Sequence, residues 1–131
     1  MNHDAPTRAT RARHPSEAAS TRGRFAHPSE EMFARLLSLY ELDWVYEPVE
    51  FPLAWDRSGE VTRAFRPDFY VPSRRLFIEL TVAEQRLVTR KNRKVREFRH
   101  LYPELAILVV YRRDFEKLMA EHHLSYDFAA A

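Results

Sequence analysis

The chain contains no cysteine, so disulfide frameworks, zinc–thiolate centres and thiol nucleophiles are excluded. It has only two glycines, Gly23 and Gly59, too few for a glycine-rich phosphate loop, which removes the Rossmann and P-loop readings. The longest apolar run, Leu105 to Tyr111, is far short of the ~20 residues a membrane helix needs. No apolar stretch of signal-peptide type stands at the N-terminus, and a cytoplasmic protein without membrane association is expected. The histidines cluster near the two ends (His3, His14, His27, His122, His123), with His100 alone on a helix. No spacing joins two of them to a third ligand, so a zinc enzyme is not expected.

The 131 residues are 45% apolar and 13% aromatic, enough for the core of one domain. The net charge of +2 hides a segregation. Residues 1–28 carry five Arg against Asp4 and Glu17, whereas residues 29–85 carry eleven acids against six bases. Residues 86–100 then carry seven bases against Glu97 alone. An acidic half beside a strongly basic helix is what metal-assisted chemistry on a polyanion requires.

Residues 1–28, rich in Arg, Ala, Ser, Thr and Pro, read as a disordered basic tail. A folded domain is expected over 29–118, with a C-terminal extension over 119–131. Ser29 as N-cap, with Glu30 and Glu31 in the first turn, predicts a helix over 30–41. Strands are expected over 44–51, 63–71 and 75–81, with a turn at Asp56–Gly59 between the first two. A basic helix follows over 87–101, stopped before Pro103. Residues 105–111 read as a fully buried strand, and a last helix starts near Asp114. The order αβββαβα gives an α/β (α+β) fold with a mixed sheet flanked by helices. Trp44 and Tyr46 read as packing residues.

Two carboxylates stand out. Asp68 is expected within the second strand, just after Pro67. Glu79 lies in the third, on the face opposite Leu76, Ile78 and Leu80. Hairpin neighbours would set the two acids side by side, an arrangement that is costly unless a cation sits between them. Oxygen ligands suit Mg²⁺ or Mn²⁺; the alternative is a pair of surface acids, each near Arg66, Arg74 or Arg75.

Arg66-Pro67-Asp68, followed eleven residues later by Glu79-Leu80-Thr81, resembles the PD-(D/E)xK nuclease superfamily, whose order is helix, three strands, helix, strand. The resemblance spans about residues 29–118 and implies a restriction endonuclease-like αβββαβ core. It further implies that Asp68 and Glu79 bind the metal with the Leu80 carbonyl, and that Glu30 or Glu31 supports the site from the first helix. The helical wheel favours Glu30; a capping role for Glu30 is the alternative.

One position departs from the family. Its lysine falls at Thr81, and threonine supplies no positive charge. On the basic helix, Leu87, Val88, Val95, Phe98 and Leu101 define an inward face with Lys91 near its centre and Lys94 near its edge. Lys91, then Lys94, is the candidate for the missing cation, against a lysine whose head reaches outward to solvent. Because lysine is no metal ligand, its removal is expected to change metal affinity little. Thr81 is a candidate partner for a water or for Lys91. Gln85 is either a polar contact in the site or a helix-start residue. Arg90, Arg93, Arg96 and Arg99 form an outward basic face suited to phosphates.

The expected function is that of a Mg²⁺- or Mn²⁺-dependent endodeoxyribonuclease, hydrolysing DNA phosphodiester bonds through a metal-activated water. The alternative is an inactive nuclease-fold module binding nucleic acid or a protein partner. Many nucleases of this fold pair to cut two strands, so a homodimer is open.

Overall fold

The structure, a computed structural model, describes residues 25–82 and 85–125, with 85 and 86 given by their backbone alone. The expected tail up to residue 24, and the extension beyond residue 125, lie outside the described residues. The described chain begins on the core. The Phe25 ring meets Tyr46 edge-on at 4.6 Å and also packs near Trp44 and Phe69. Residues 25–28, counted with the tail on composition, join the folded body because this one aromatic finds an apolar pocket.

Helix α1 spans Pro28–Leu39, two residues earlier at each end than expected. Proline at the first helical position has a preset φ and no N–H to leave unpaired. The cap is therefore His27, whose ring accepts from the Ser29 N–H. At the other end Glu41 takes a left-handed φ of 57°, which stops the helix.

The first expected strand breaks where Glu47 adopts a φ of 44° before Pro48. This leaves a short β1, Val45–Tyr46, and a separate β2, Phe51–Trp55. The second breaks at Arg66-Pro67 into β3, Val61–Phe65, and β4, Phe69–Val71. Strands β2 and β3 pair with each other as a two-stranded hairpin. Its turn is the expected one. Asp56 accepts from the Ser58 and Glu60 N–H groups, and Gly59 takes the φ of 90° that glycine tolerates best.

A 3₁₀ turn, Pro72–Arg74, leads into β5, Leu76–Thr81. Helix α2 spans Gln85–Leu101, β6 spans Ala106–Tyr111, and α3 spans Arg112–Glu121. Asp114, read as the start of the last helix, is instead its N3 residue, and its carboxylate accepts from the Tyr111 N–H. Among the described residues the fold is thus mixed α+β. It has three helices, the hairpin, and a four-stranded mixed sheet in the order β1-β4-β5-β6. Strand β5 runs antiparallel to β4 and parallel to β6, with α2 as the crossover a parallel pair needs.

The alternation of β5 sorts the core into two layers. Ile78 and Leu80 pack with Phe33, Leu36 and Leu37 of α1 and with Phe115 and Met119 of α3. Phe77 points the other way, into Phe51 and Phe65 of the hairpin, Val95 and Phe98 of α2, and Tyr102 just beyond it. Phe77 and Phe98 are fully buried, each worth about 1.5–3 kcal/mol of transfer free energy. This packing of α2 does not draw on the Lys91 ammonium. Two expectations fail at the margins of this core. Leu101 is exposed rather than inward, and β6 is not fully buried: Leu108 is 48% exposed and Tyr111 41%. Strand β6 is an edge of the four-stranded sheet, and its residues alternate between exposed and buried.

Candidate functional site

Asp68 is not within a strand, contrary to expectation; it immediately precedes β4. The cause is Pro67, which cannot donate to a ladder. The β4–β5 register pairs Phe69 with Ile78; continued by one and two residues, it sets Asp68 opposite Glu79 and Pro67 opposite Leu80. Pro67 has no N–H to give the Leu80 carbonyl, and side chains take over the bonding where the ladder stops. The Asp68 N–H donates to Glu79 Oε1 at 3.1 Å. The Leu80 N–H donates to Asp68 Oδ2 at 2.8 Å. The Leu80 carbonyl accepts from Lys91 Nζ at 2.6 Å.

Lys91 thereby enters the acid pair. Its ammonium lies 3.4 Å from Glu79 Oε2 and 4.0 Å from Asp68 Oδ2. Asp68 is 7% exposed and Glu79 3%; the Lys91 side chain is 34% exposed. Burial raises the pKa of both acids. Repulsion from Glu79 adds to the rise at Asp68, and Lys91 opposes it at both. The Lys91 ammonium thus offsets part of the charge that burial makes expensive at the pair.

Glu30 is buried on α1, where its Oε1 accepts from the Tyr46 hydroxyl at 2.6 Å. It is close enough to Asp68 to raise that residue's pKa further. Its carboxylate is thus a buried neighbour of the pair and no simple cap. Tyr46, read as a packing residue, is its hydrogen-bond donor. The phenolic pKa of Tyr46 is itself raised by burial and by Glu30. A contact across sixteen residues of chain has no local signal.

The other candidates divide. Lys94, the second choice for the missing cation, is not brought to the acids: its Nζ donates to the Ala64 carbonyl of β3 at 3.0 Å. With the Arg63–Glu97 ion pair at 2.7 Å, it ties α2 to the hairpin. Thr81 is 2% exposed, and its Oγ1 has no hydrogen-bond partner among the described residues. It therefore does not bond Lys91, the partner expected of it. It lies two residues beyond Glu79, on the same face of β5. The Gln85 side chain lies outside the described residues. Arg90, Arg93 and Arg96 are exposed. Arg99 is exposed as well, and its guanidinium also donates to the Ile107 carbonyl of β6 at 3.1 Å.

Three oxygens, Asp68 Oδ2, Glu79 Oε2 and Leu80 O, thus surround one cationic nitrogen at the mouth of the β4–β5 ladder. These are hard donors of the kind Mg²⁺ and Mn²⁺ prefer. Among the described residues no group of three or more His, Asp or Glu side chains is arranged to hold a metal ion. A metal here would rely on two carboxylates and the carbonyl. Among the described residues no helix is long and apolar enough to cross a membrane. No family model, curated protein or solved structure matches the chain.

Proposed function

We propose that this chain is a nuclease of the PD-(D/E)xK type. It would hydrolyse DNA phosphodiester bonds with Mg²⁺ or Mn²⁺ held by Asp68, Glu79 and the Leu80 carbonyl. The observation that carries the proposal is the convergence of these three oxygens on one cation. The orphaned Thr81 hydroxyl supports it, as a buried polar atom on the Glu79 side of β5. So does the order of elements. Leaving the β2–β3 hairpin aside, the chain runs helix, three strands, helix, strand, which we read as a restriction endonuclease-like core.

When bound, the ion supplies Lewis acidity toward a phosphate oxygen and a lowered pKa for its water. The remaining roles belong to the chain. Asp68 and Glu79 present carboxylates that backbone N–H groups pin in place, so little reorganisation is needed to use them. Lys91 supplies the positive charge that Thr81 lacks, on a stem long enough to meet a phosphate beside the pair. Glu30, held by Tyr46, keeps the local field negative and favours a divalent ion. Arg90, Arg93 and Arg96 offer an exposed cationic face to the backbone of a nucleic acid, without reading its sequence.

A second reading has its own support. Lys91 already offsets the charge of the pair, as it would in a module that binds nucleic acid or a protein partner and performs no chemistry. The deciding experiment is a cleavage assay with Mg²⁺ and with Mn²⁺ on single- and double-stranded DNA and RNA, comparing wild type with Asp68→Ala. Metal-dependent cleavage that Asp68→Ala abolishes supports the enzyme. Nucleic-acid binding without cleavage under every condition supports the module.

A further inference from the structure

We propose that the Lys91 ammonium and a divalent cation are alternative occupants of one place, so that binding the ion expels Lys91 toward solvent. The inference rests on the metal-dependent reading above and concerns how that site is loaded. All three oxygens assigned to the ion already face Lys91 Nζ, at 2.6, 3.4 and 4.0 Å. Mg²⁺ sits about 2.0–2.1 Å from its oxygen ligands. An ion that reaches the Leu80 carbonyl and both carboxylates must lie on the side of the three oxygens that the ammonium now occupies, and the two charges repel.

Which partner yields is decided by how each is held. Asp68 and Glu79 are buried and tied to backbone N–H groups across the β4–β5 junction. Moving either carboxylate strands a buried donor, which is costly. Lys91 makes its polar contacts through its ammonium, at the end of a flexible four-carbon stem that is one-third exposed. The anions are the fixed part and Lys91 is the moving part. Expelled, the ammonium stays tethered beside the pair, where a phosphate bound to the ion would lie. Lysine is thus the resting counter-ion of the empty pair and the phosphate contact of the loaded one. This reverses the expectation that removing Lys91 leaves metal affinity unchanged.

The chain has three lysines, Lys91, Lys94 and Lys117, so lysine acetylation read by mass spectrometry reports the exchange in the full wild-type chain. Mn²⁺ should accelerate acetylation of Lys91 severalfold and leave Lys117 unchanged, and Asp68→Asn should abolish the effect. In parallel, Mn²⁺ titration of Lys91→Met, which keeps most of the stem without its charge, should give binding about tenfold or more tighter than wild type. That is the gain expected when a competitor occupying about nine-tenths of the sites is removed. Suppose Mn²⁺ binds in a manner that needs Asp68, yet Lys91 acetylation and Lys91→Met affinity are unchanged. The exchange is then wrong and the metal reading stands. Absence of Mn²⁺ binding in both wild type and Lys91→Met, each folded by circular dichroism, overturns the metal reading and the exchange with it.

Discussion

Asp68 and Glu79 clasp each other across the end of the β4–β5 ladder. The Asp68 N–H donates to Glu79 Oε1 at 3.1 Å, and Asp68 Oδ2 accepts from the amide that follows Glu79 at 2.8 Å. The clasp holds two carboxyl groups where solvent cannot solvate their charge. Burial, with repulsion from Glu79, pushes Asp68 up to about 8, from an ordinary value of 3.8.

The shift has a definite sign for stability. Between about pH 4 and pH 8 the folded chain keeps a proton at this pair that the unfolded chain has released. The folded state binds more protons, so stability falls as pH rises through that window, by up to about 1.4 kcal/mol per pH unit for one proton. Urea denaturation without metal should give a lower midpoint at pH 8 than at pH 5. Asp68→Asn keeps an oxygen for the Leu80 N–H and removes the charge, so it should flatten the dependence and raise the pH 8 midpoint. A wild-type profile flat from pH 5 to pH 8 would contradict the buried pair.

Tyr46→Phe tests the support of Glu30. It deletes one hydroxyl, which donates to the buried Glu30 carboxylate at 2.6 Å, and leaves that charge short of a partner. The expected loss of stability is about 1–3 kcal/mol, read by chemical denaturation at pH 7. A change within experimental error would mean that Glu30 is solvated and does not shape the site.

Local pattern carried β5, α2 and the acid pair because each rests on short-range regularity. Strand β5 alternates, with a core on either side, and α2 repeats Val95, Phe98 and Lys91 on one face. The strand breaks were also written locally, in Glu47-Pro48 and Arg66-Pro67, but a run of apolar residues on both sides of each proline concealed them. Other features depend on elements distant in the chain. The wheel puts Lys91 and Lys94 on one face, and it is β3, which sequence pattern alone merges with β4, that captures Lys94 through the Ala64 carbonyl. The exposure of Leu108 depends on β6 being an edge of the sheet. The Tyr46–Glu30 bond depends on how α1 crosses β1.

The basic helix separates into two kinds of arginine. Arg90, Arg93, Arg96 and Arg99 are all exposed, and among the described residues Arg99 alone of the four also donates to a backbone carbonyl, that of Ile107. The triple variant Arg90→Ala, Arg93→Ala, Arg96→Ala should weaken DNA binding. It should also flatten the slope of log K against log salt by about 0.9 for each phosphate that is no longer neutralised, with thermal stability nearly unchanged. Arg99→Ala should in addition lower stability by about 0.5–1.5 kcal/mol for the missing hydrogen bond. Equal salt slopes for wild type and the triple variant would reduce this face to a solvated surface.

In the proposed nuclease, one requirement falls between Lys91 and Thr81: a positive charge beside the acid pair. Lys91 meets it from α2, with Nζ 3.4 Å from Glu79 Oε2. Thr81 is buried two residues past Glu79 with its hydroxyl unpartnered among the described residues. If the charge acts in the transition state, Lys91→Ala should lower the cleavage rate by about 10²–10³, the scale for removing one positioned electrostatic group. Its metal affinity should rise, so saturating Mg²⁺ cannot rescue the rate. Thr81→Val separates the neighbour's role. Replacing an unpartnered buried hydroxyl by a methyl should leave stability nearly unchanged or slightly higher. A lower rate in that variant would assign the hydroxyl to the reacting water. Thr81→Lys in the Lys91→Ala background returns an ammonium to the Glu79 face of β5. If the proposed chemistry needs only the charge, whichever element carries it, this variant should recover part of the rate. Full activity of Lys91→Ala at saturating Mg²⁺ would remove Lys91 from the mechanism.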